Sequence, residues 1–239
     1  QGARVSRLSA TLRLDTRLQA RNKVYLVIGV MACGVALLLG SWFGSDDLRF
    51  WMPILALGST TATTVFLVGM LLQFERGEGM LDVVFVSRLR PGDYLASKLL
   101  TLSSLALIEG GLLVGIAYRG SIAIPWLAIA VFLRASLGVA VGVAIGVRYG
   151  SILRWLLPVV GVSVAFDLPN IWYLGLWPSP LFYLWPTMPS LLIAKAAFLP
   201  VEPATLLYAV AYGVLAAGAA VVWALRSIDR FVVRGEYAR

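Results

Sequence analysis

Three charged residues of this sequence lie within long apolar stretches, where their side chains could pair with one another or contact a solute. Glu109 lies in LSSLALIEGGLLVG, Arg134 in AVFLRASLGVA, and Asp167 near the end of a further apolar stretch. A lone charge in hydrocarbon costs at least ~2.5–3.5 kcal/mol, so each is expected to have a partner. Helix geometry puts Glu109 and Arg134 ~13 and ~18 Å from the same end of adjacent helices. This predicts a Glu109–Arg134 pair, either structural or lining a translocation path, and a cap or interface role for Asp167.

Catalytic and metal-binding chemistry has little support in the sequence. Histidine is absent, and Cys33 is the single cysteine, so a disulfide within the chain is impossible. There is no Gly-x-Ser-x-Gly elbow, and neither Lys98 nor Lys195 follows the glycine that an ATP-binding Gly-rich loop requires. We therefore expect that this chain is not an enzyme and holds no catalytic residue, cofactor or metal site.

The largest remaining group of polar residues lies between two apolar stretches, at residues 73–98. This segment reads QFERGEGMLDVVFVSRLRPGDYLASK. Its apolar residues recur at helical spacing, at Met80, Leu81, Val84 and Phe85. Residues 90–93 then form a predicted turn, and Asp93 can cap the helix that follows. A loop that needed only solubility would not carry an apolar helical face, although a solvated charged loop remains the alternative.

This loop resembles that of the type-2 ABC transporter permeases. Their loop reads Glu-Arg/Lys, two further residues, Gly-Thr-Leu-Glu/Asp, then Ser-Pro-Leu and an acidic–aromatic pair before a lysine. The residues in register with it are Glu75, Arg76, Gly79, Leu81, Asp82, Ser87, Leu89, Pro91, Asp93, Tyr94 and Lys98. Met80 replaces the usual threonine and Arg88 the usual proline. In outline the chain is closest to the drug-export or fluoroquinolone-export permeases of that family.

The resemblance implies a coupling helix that docks on a separate ABC ATPase subunit, which would bind ATP and Mg²⁺. The coupling residues that it implies are Glu75, Arg76, Gly79, Leu81, Asp82, Ser87 and Arg88. It also implies a second permease copy or a paralogous permease, and export of a small amphiphilic compound, as in multidrug efflux. The alternative function is a secondary transporter or channel that uses Glu109 and Arg134, and it would predict inverted repeats, which the sequence does not display.

The elements that position these residues are predicted to be membrane-spanning helices. The 239 residues are 60% hydrophobic and 13% charged, a balance that indicates lipid as the solvent. An all-α, polytopic fold with six spans is expected, at residues 24–44, 51–72, 99–118, 122–147, 152–168 and 205–226. In the fourth span Gly138, Gly142 and Gly146 recur every four residues, which predicts close helix packing.

The basic residues predict the orientation of these spans. The formal charge is +8, but Lys and Arg flank apolar stretches instead of forming the continuous stripe that nucleic acid requires. With six spans, 16 basic residues fall on one side and only Arg49, Arg119 and Lys195 on the other. By the positive-inside rule both termini are expected in the cytoplasm, with the chain in the inner, cytoplasmic membrane.

Four segments flank or join the spans of this single permease domain, residues 1–239. Residues 1–23 carry arginines every fourth residue and predict a basic amphipathic helix on the membrane surface. Residues 73–98 form the coupling loop, and residues 227–239 a cytoplasmic tail. The proline-rich and tryptophan-rich residues 169–203 predict short broken or re-entrant helices at the outer face, because Pro186, Pro189 and Lys195 argue against a seventh span.

Overall fold

The computed structural model describes Thr16, residues 23–77 and residues 91–233. Every secondary-structure element in these residues is helical. The predicted surface helix therefore lies outside the described residues apart from Thr16 and Lys23, as do residues 78–90 of the predicted coupling loop and the tail beyond Val233.

Six helices of the described part are long and apolar enough to cross a membrane. They are α1 (Val24–Trp42), α2 (Ser45–Gly77), α3 (Pro91–Ala117), α4 (Ile124–Gly146), α5 (Ile152–Tyr173) and α7 (Pro203–Val232), and the shorter α6 (Met188–Phe198) precedes α7. The predicted all-α fold with six spans is thus confirmed. Two helices begin earlier than predicted, α2 at Ser45 and α3 at Pro91. Their first turns contain Asp46 and Asp47 in α2 and Asp93 in α3, and acidic side chains at that position interact favourably with the helix dipole.

Helix α4 forms the centre of the bundle. It packs on α2, α3, α6 and α7, and most of its residues are buried, whereas α1, α5 and α7 are largely exposed. Close contact with α2 depends on the predicted glycine row, Gly138, Gly142 and Gly146. A Cβ at Gly138 or Gly142 would come within 2.4 Å of a side-chain atom of Thr64 or Val68. The small residues of α4 therefore let α2 approach closely, as predicted.

Helix α2 is interrupted at its middle by a π-helical turn, Ala62–Phe66. Threonines precede and line this turn, and several of their hydroxyls donate back to carbonyls of the preceding helical turn. Thr60 donates to the carbonyl of Ala56 at 2.8 Å, and Thr64 donates to that of Thr60 at 2.6 Å. Such bonds satisfy hydroxyls that are buried among apolar residues. π-turns occur frequently at functional sites, which directs attention to this part of α2.

Residues 169–203 fold as short helical pieces, as predicted. After α5 ends at Tyr173, a 3₁₀ turn covers Pro180–Leu184 and α6 covers Met188–Phe198, whose 11 residues are too few to span ~30 Å of hydrocarbon. Trp185 Nε1 donates to the carbonyl of Ala165 at 2.8 Å, and Thr187 Oγ1 to that of Phe166 at 2.7 Å. These bonds fix the segment on α5.

The helix ends form two faces of the bundle. One face, here named the arginine end, carries Arg76 at the end of α2, Arg148 just beyond the end of α4, and Arg226 in the last regular turn of α7. The opposite face, named the tryptophan end, holds Trp172 in the last turn of α5, and Trp177 and Trp185 in the segment that follows it. The undescribed residues 78–90 connect α2 to α3 at the arginine end.

Candidate functional site

At the π-turn of α2, two hydroxyls contact two different neighbouring helices, that of Thr63 within the turn and that of Thr61 just before it. Thr61 and Thr63 are two positions apart, a rotation of ~200° at 3.6 residues per turn, so their side chains leave opposite faces of the helix. Thr63 contacts Glu109 of α3, and Thr61 contacts Arg134 of α4. A single turn of α2 therefore binds Glu109 and Arg134, two of the three charged residues in the apolar stretches.

Glu109 is held by a neutral partner. The hydroxyl of Thr63 donates a short hydrogen bond to Glu109 Oε2, and the glutamate is only 8% exposed. Among the described residues, no lysine or arginine lies within ion-pair distance of this carboxylate. Glu109 is thus a buried acid without a cationic partner in the described part of the chain.

Arg134 is held by a polar and an ionic partner. Its Nε donates to Thr61 Oγ1 at 2.9 Å, and its Nη2 donates to Asp167 Oδ1 at 2.6 Å. Its Cζ also lies 5.2 Å from the ring centroid of Phe166, within cation–π range. Arg134 is buried, while the side chain of Asp167 is 38% exposed. The ion pair therefore joins α4 to α5 and neutralises Arg134.

The predicted pairing of Glu109 with Arg134 is wrong, because each charge has taken another partner. Asp167 lies where the sequence places it, at the end of the regular helix Ile152–Asp167 and just before Pro169, but its partly exposed carboxylate pairs with α4 instead of capping a helix. There it lies within reach of the long Arg134 side chain. The threonines at positions 60–64 were also missed, although a run of four threonines inside an apolar stretch is a visible signal in the sequence.

Two cavities flank this turn of α2, and each is lined by one of the acids. A cavity of about 360 Å³ is lined by Glu109 and Thr63 together with apolar residues of α1, α2 and α3. A second, of about 470 Å³, is lined by Asp167 and Ser163 together with apolar residues of α2 and α5. Phe66, the last residue of the π-turn, lines both. The polar residues around this turn, here named the polar centre, are Thr61, Thr63, Glu109, Arg134 and Asp167. Two of them therefore line cavities that lie on either side of Phe66.

A second polar cluster, named here the Glu75 cluster, lies at the arginine end. Glu75 Oε1 forms an ion pair with Lys98 Nζ, and the hydroxyl of Tyr94 donates to Glu75 Oε2 at 2.5 Å. All three residues are buried. Glu75 lies near the end of α2, and Tyr94 and Lys98 lie near the start of α3. The cluster therefore joins the two helix ends that residues 78–90 connect.

Arg76 and Gln73 fasten the same end of α2 to α4. Arg76 donates from Nη2 to the carbonyl of Val147 at 3.0 Å and from Nη1 to that of Tyr149. Gln73 Nε2 donates to the carbonyl of Tyr149 at 3.1 Å. Gln73 Nε2 also donates to the carbonyl of Gly146 at 3.3 Å. The last carbonyls of a helix lack partners within it, so the bonds to Gly146 and Val147 cap α4, and those to Tyr149 hold the turn that follows. The ends of α2, α3 and α4 thus form one connected base.

The predicted coupling residues divide into two groups. The resemblance implies that Glu75 and Arg76 contact the ATPase, but both side chains bind within this chain. Glu75 pairs with Lys98 and accepts from Tyr94, and Arg76 donates to the carbonyl of Val147 at the end of α4. The others lie outside the described residues, namely Gly79, Leu81, Asp82, Ser87 and Arg88. Across the described part of the chain, no group of three His, Cys, Asp or Glu side chains is arranged to hold a metal ion.

Comparison with known proteins identifies the family of this chain. The model of the fluoroquinolones export permease protein family matches residues 6–236. The fluoroquinolones export permease proteins of two Mycobacterium tuberculosis strains are each 28% identical to it over 234 residues, covering 96% of this chain and 98% of the relative. The match therefore includes all six long helices, both polar clusters and residues 78–90. The chain belongs to the fluoroquinolones export permease protein family.

Proposed function

We propose that this protein is the membrane-spanning subunit of an ATP-driven ABC exporter that moves a small amphiphilic compound out of the cytoplasm. The observation that carries the proposal is the family match over residues 6–236, since its relatives are named fluoroquinolones export permeases. The two cavities beside Glu109 and Asp167 support it, because an export pathway needs space for a solute within the spans. A fluoroquinolone is accordingly the first substrate to test.

The Glu75 cluster supports coupling to an ATPase at the arginine end. A loop that transmits force from a partner needs a rigid base, and residues 78–90 depart from helix ends joined by the Glu75–Lys98 ion pair. In this proposal Asp82 and Arg88 contact the ATPase, while Glu75 and Arg76 position the loop. ATP and Mg²⁺ bind to that ATPase, and a second permease copy or a paralogue completes the pathway.

The orientation follows from the same proposal. The arginine end faces the cytoplasm, because basic residues next to spans are retained on that side. Both termini are then cytoplasmic, and the tryptophan end lies at the outer interface of the cytoplasmic membrane. Tryptophans suit that position because their rings are amphipathic.

A secondary transporter or channel is the second candidate function. The observation that favours it is Glu109, a buried acid that lines a cavity and has a hydroxyl as its partner. Such a residue is typical of ion or proton pathways. The two functions differ in their energy source: proteoliposomes that hold this chain without an ATPase would transport the solute down an ion gradient only in the second case.

The proposed coupling is tested by coexpression of the permease with candidate ABC ATPases from the same genome, followed by copurification. Asp82→Lys reverses a charge in the proposed contact and should weaken the association by ~2–5 kcal/mol if this charge is buried at the interface. Arg154→Glu is the matched control, an exposed charge on α5 at the arginine end. Normal ATPase binding by Asp82→Lys would contradict the assignment of the loop as the coupling element.

A further inference from the structure

The cavity beside Glu109 joins an acid to an apolar wall. Glu109 is more than nine-tenths buried, yet it lines this cavity, and its partner there, Thr63, is neutral. The other contributors are apolar side chains such as Phe66 and Leu67, apart from Ser59. The cavity volume of about 360 Å³ falls within the ~300–1,000 Å³ typical of small-molecule sites.

The mouth of the cavity is apolar. Met31 of α1 and Met70 of α2 line it and are 64% and 45% exposed, whereas Ala32 and Thr63 are buried deeper in it. Because the exposed residues of a spanning helix face lipid, an occupant reaches this cavity from the hydrocarbon. Methionine side chains are flexible and adapt to ligands of different shape.

We infer that this cavity binds a lipophilic monocation and that Glu109 is its counter-ion. An ionised carboxylate in hydrocarbon is stabilised chiefly by a cation, and none is supplied by the described residues around it. Asp167, the other acid of the polar centre, is already paired with Arg134 and lines a different cavity. Charge complementarity therefore selects a cation, and the apolar wall and mouth select one that is soluble in lipid.

This inference rests on the proposed transport function, because it names the class of solute that the site admits. Thr63 is a positioning residue in this account. Its hydroxyl holds Oε2 of Glu109, and Oε1 is left available to an occupant of the cavity that Glu109 lines. A solute with a delocalised or shielded positive charge fits best, since it loses little hydration on entering the bilayer.

The test is equilibrium binding of radiolabelled tetraphenylphosphonium to the full-length chain in lipid nanodiscs, with empty nanodiscs subtracted. Tetraphenylborate, of nearly the same shape and opposite charge, is the matched probe. The unmodified chain should bind the cation saturably and in preference to the anion. Glu109→Gln should weaken binding of the cation about tenfold or more, since a tenfold change corresponds to the loss of one modest charge contact.

Two further variants separate charge from folding. Glu109→Asp retains the charge and should restore most of the binding of the cation. Ser104→Ala lies on the same helix, where the serine is exposed and donates to the carbonyl of Leu100, and it should bind as the parent does. Equal weakening of both probes by Glu109→Gln, or failure of the parent to prefer the cation, would overturn the inference. Because no ATPase is present, that result would leave the proposed export function intact.

Discussion

Two buried charges near the π-turn of α2, Arg134 and Glu109, are held by neighbours of different chemistry. Arg134 has a carboxylate and a hydroxyl, whereas Glu109 has a hydroxyl. Removing one partner of a buried ion pair leaves the other uncompensated, which costs more than removing both. The residues that bind Arg134 should therefore behave as a unit in mutational tests.

The Arg134–Asp167 ion pair can be measured by a double-mutant cycle. Arg134→Ala should lower the free energy of unfolding by up to ~3–5 kcal/mol, and Asp167→Ala by less, since its carboxylate is partly exposed. The double variant should lose less than the sum of the two, with a coupling of ~0.5–3 kcal/mol. The measurement is thermal unfolding of the purified chain in detergent.

A second cycle provides the control for this ion pair. Glu109 does not contact Arg134, so the effects of Glu109→Ala and Arg134→Ala should add within ~0.5 kcal/mol. Strong coupling in this control cycle, together with additivity of Arg134 and Asp167, would contradict the partners assigned here and restore the pairing expected from sequence.

At the level of elements, the sequence predicts the helices well and their partners poorly. Long apolar runs and the row of glycines identify the spans and the close contact of α2 with α4, because both depend on local composition and period. Which charged residues pair with each other depends on where each helix ends and on its rotation about its own axis. Asp167 shows this, because its place at the end of a span is visible in the sequence, whereas its contact with Arg134 depends on how α5 packs beside α4.

The contact of α2 with α4 predicts the effect of filling a glycine. Gly142→Ala places a methyl group 2.4 Å from Val68 Cγ1 and 3.2 Å from the carbonyl oxygen of Val65. Because the latter atom belongs to backbone, the helices must separate, at a cost of ~1–3 kcal/mol. Thermal unfolding in detergent measures the loss.

A glycine on an open helix face provides the control for this contact. Gly111 of α3 has no atom within 4 Å of an added Cβ, so Gly111→Ala should be neutral or stabilise the chain by up to ~1 kcal/mol through helix propensity. Equal effects at Gly111 and Gly142 would show that α2 and α4 do not pack as described.

For the whole molecule, orientation in the membrane is set by charge. With Cys33 replaced by Ala, single cysteines at Glu78 and Arg234 should react with a membrane-impermeant maleimide only after the cells are opened. A cysteine at the exposed Trp177 should react in intact cells, because the tryptophan end is proposed to face outward. Labelling at Arg234 from outside would contradict the topology with both termini in the cytoplasm.

Coupling to an ATPase could be predicted from the sequence only through the resemblance of residues 73–98 to the loop of the type-2 ABC permeases. The motif from Glu75 to Lys98 indicated a coupling segment, but two of its charges bind each other within the chain. A sequence pattern does not distinguish a residue that would contact a partner from one that would hold the contacting loop in place. Burial of Glu75 beside Lys98 and Tyr94 favours the second role for Glu75 in the proposed coupling.

ATP-dependent accumulation of a labelled fluoroquinolone in inside-out vesicles tests the export account most directly. The vesicles carry this permease together with the ABC ATPase that copurifies with it, and control vesicles carry the same permease with a variant of that ATPase unable to hydrolyse ATP. We expect accumulation that requires hydrolysis and is lost in the Asp82→Lys permease. Accumulation that proceeds without ATP and follows an imposed ion gradient would contradict the ABC assignment and favour a secondary transporter.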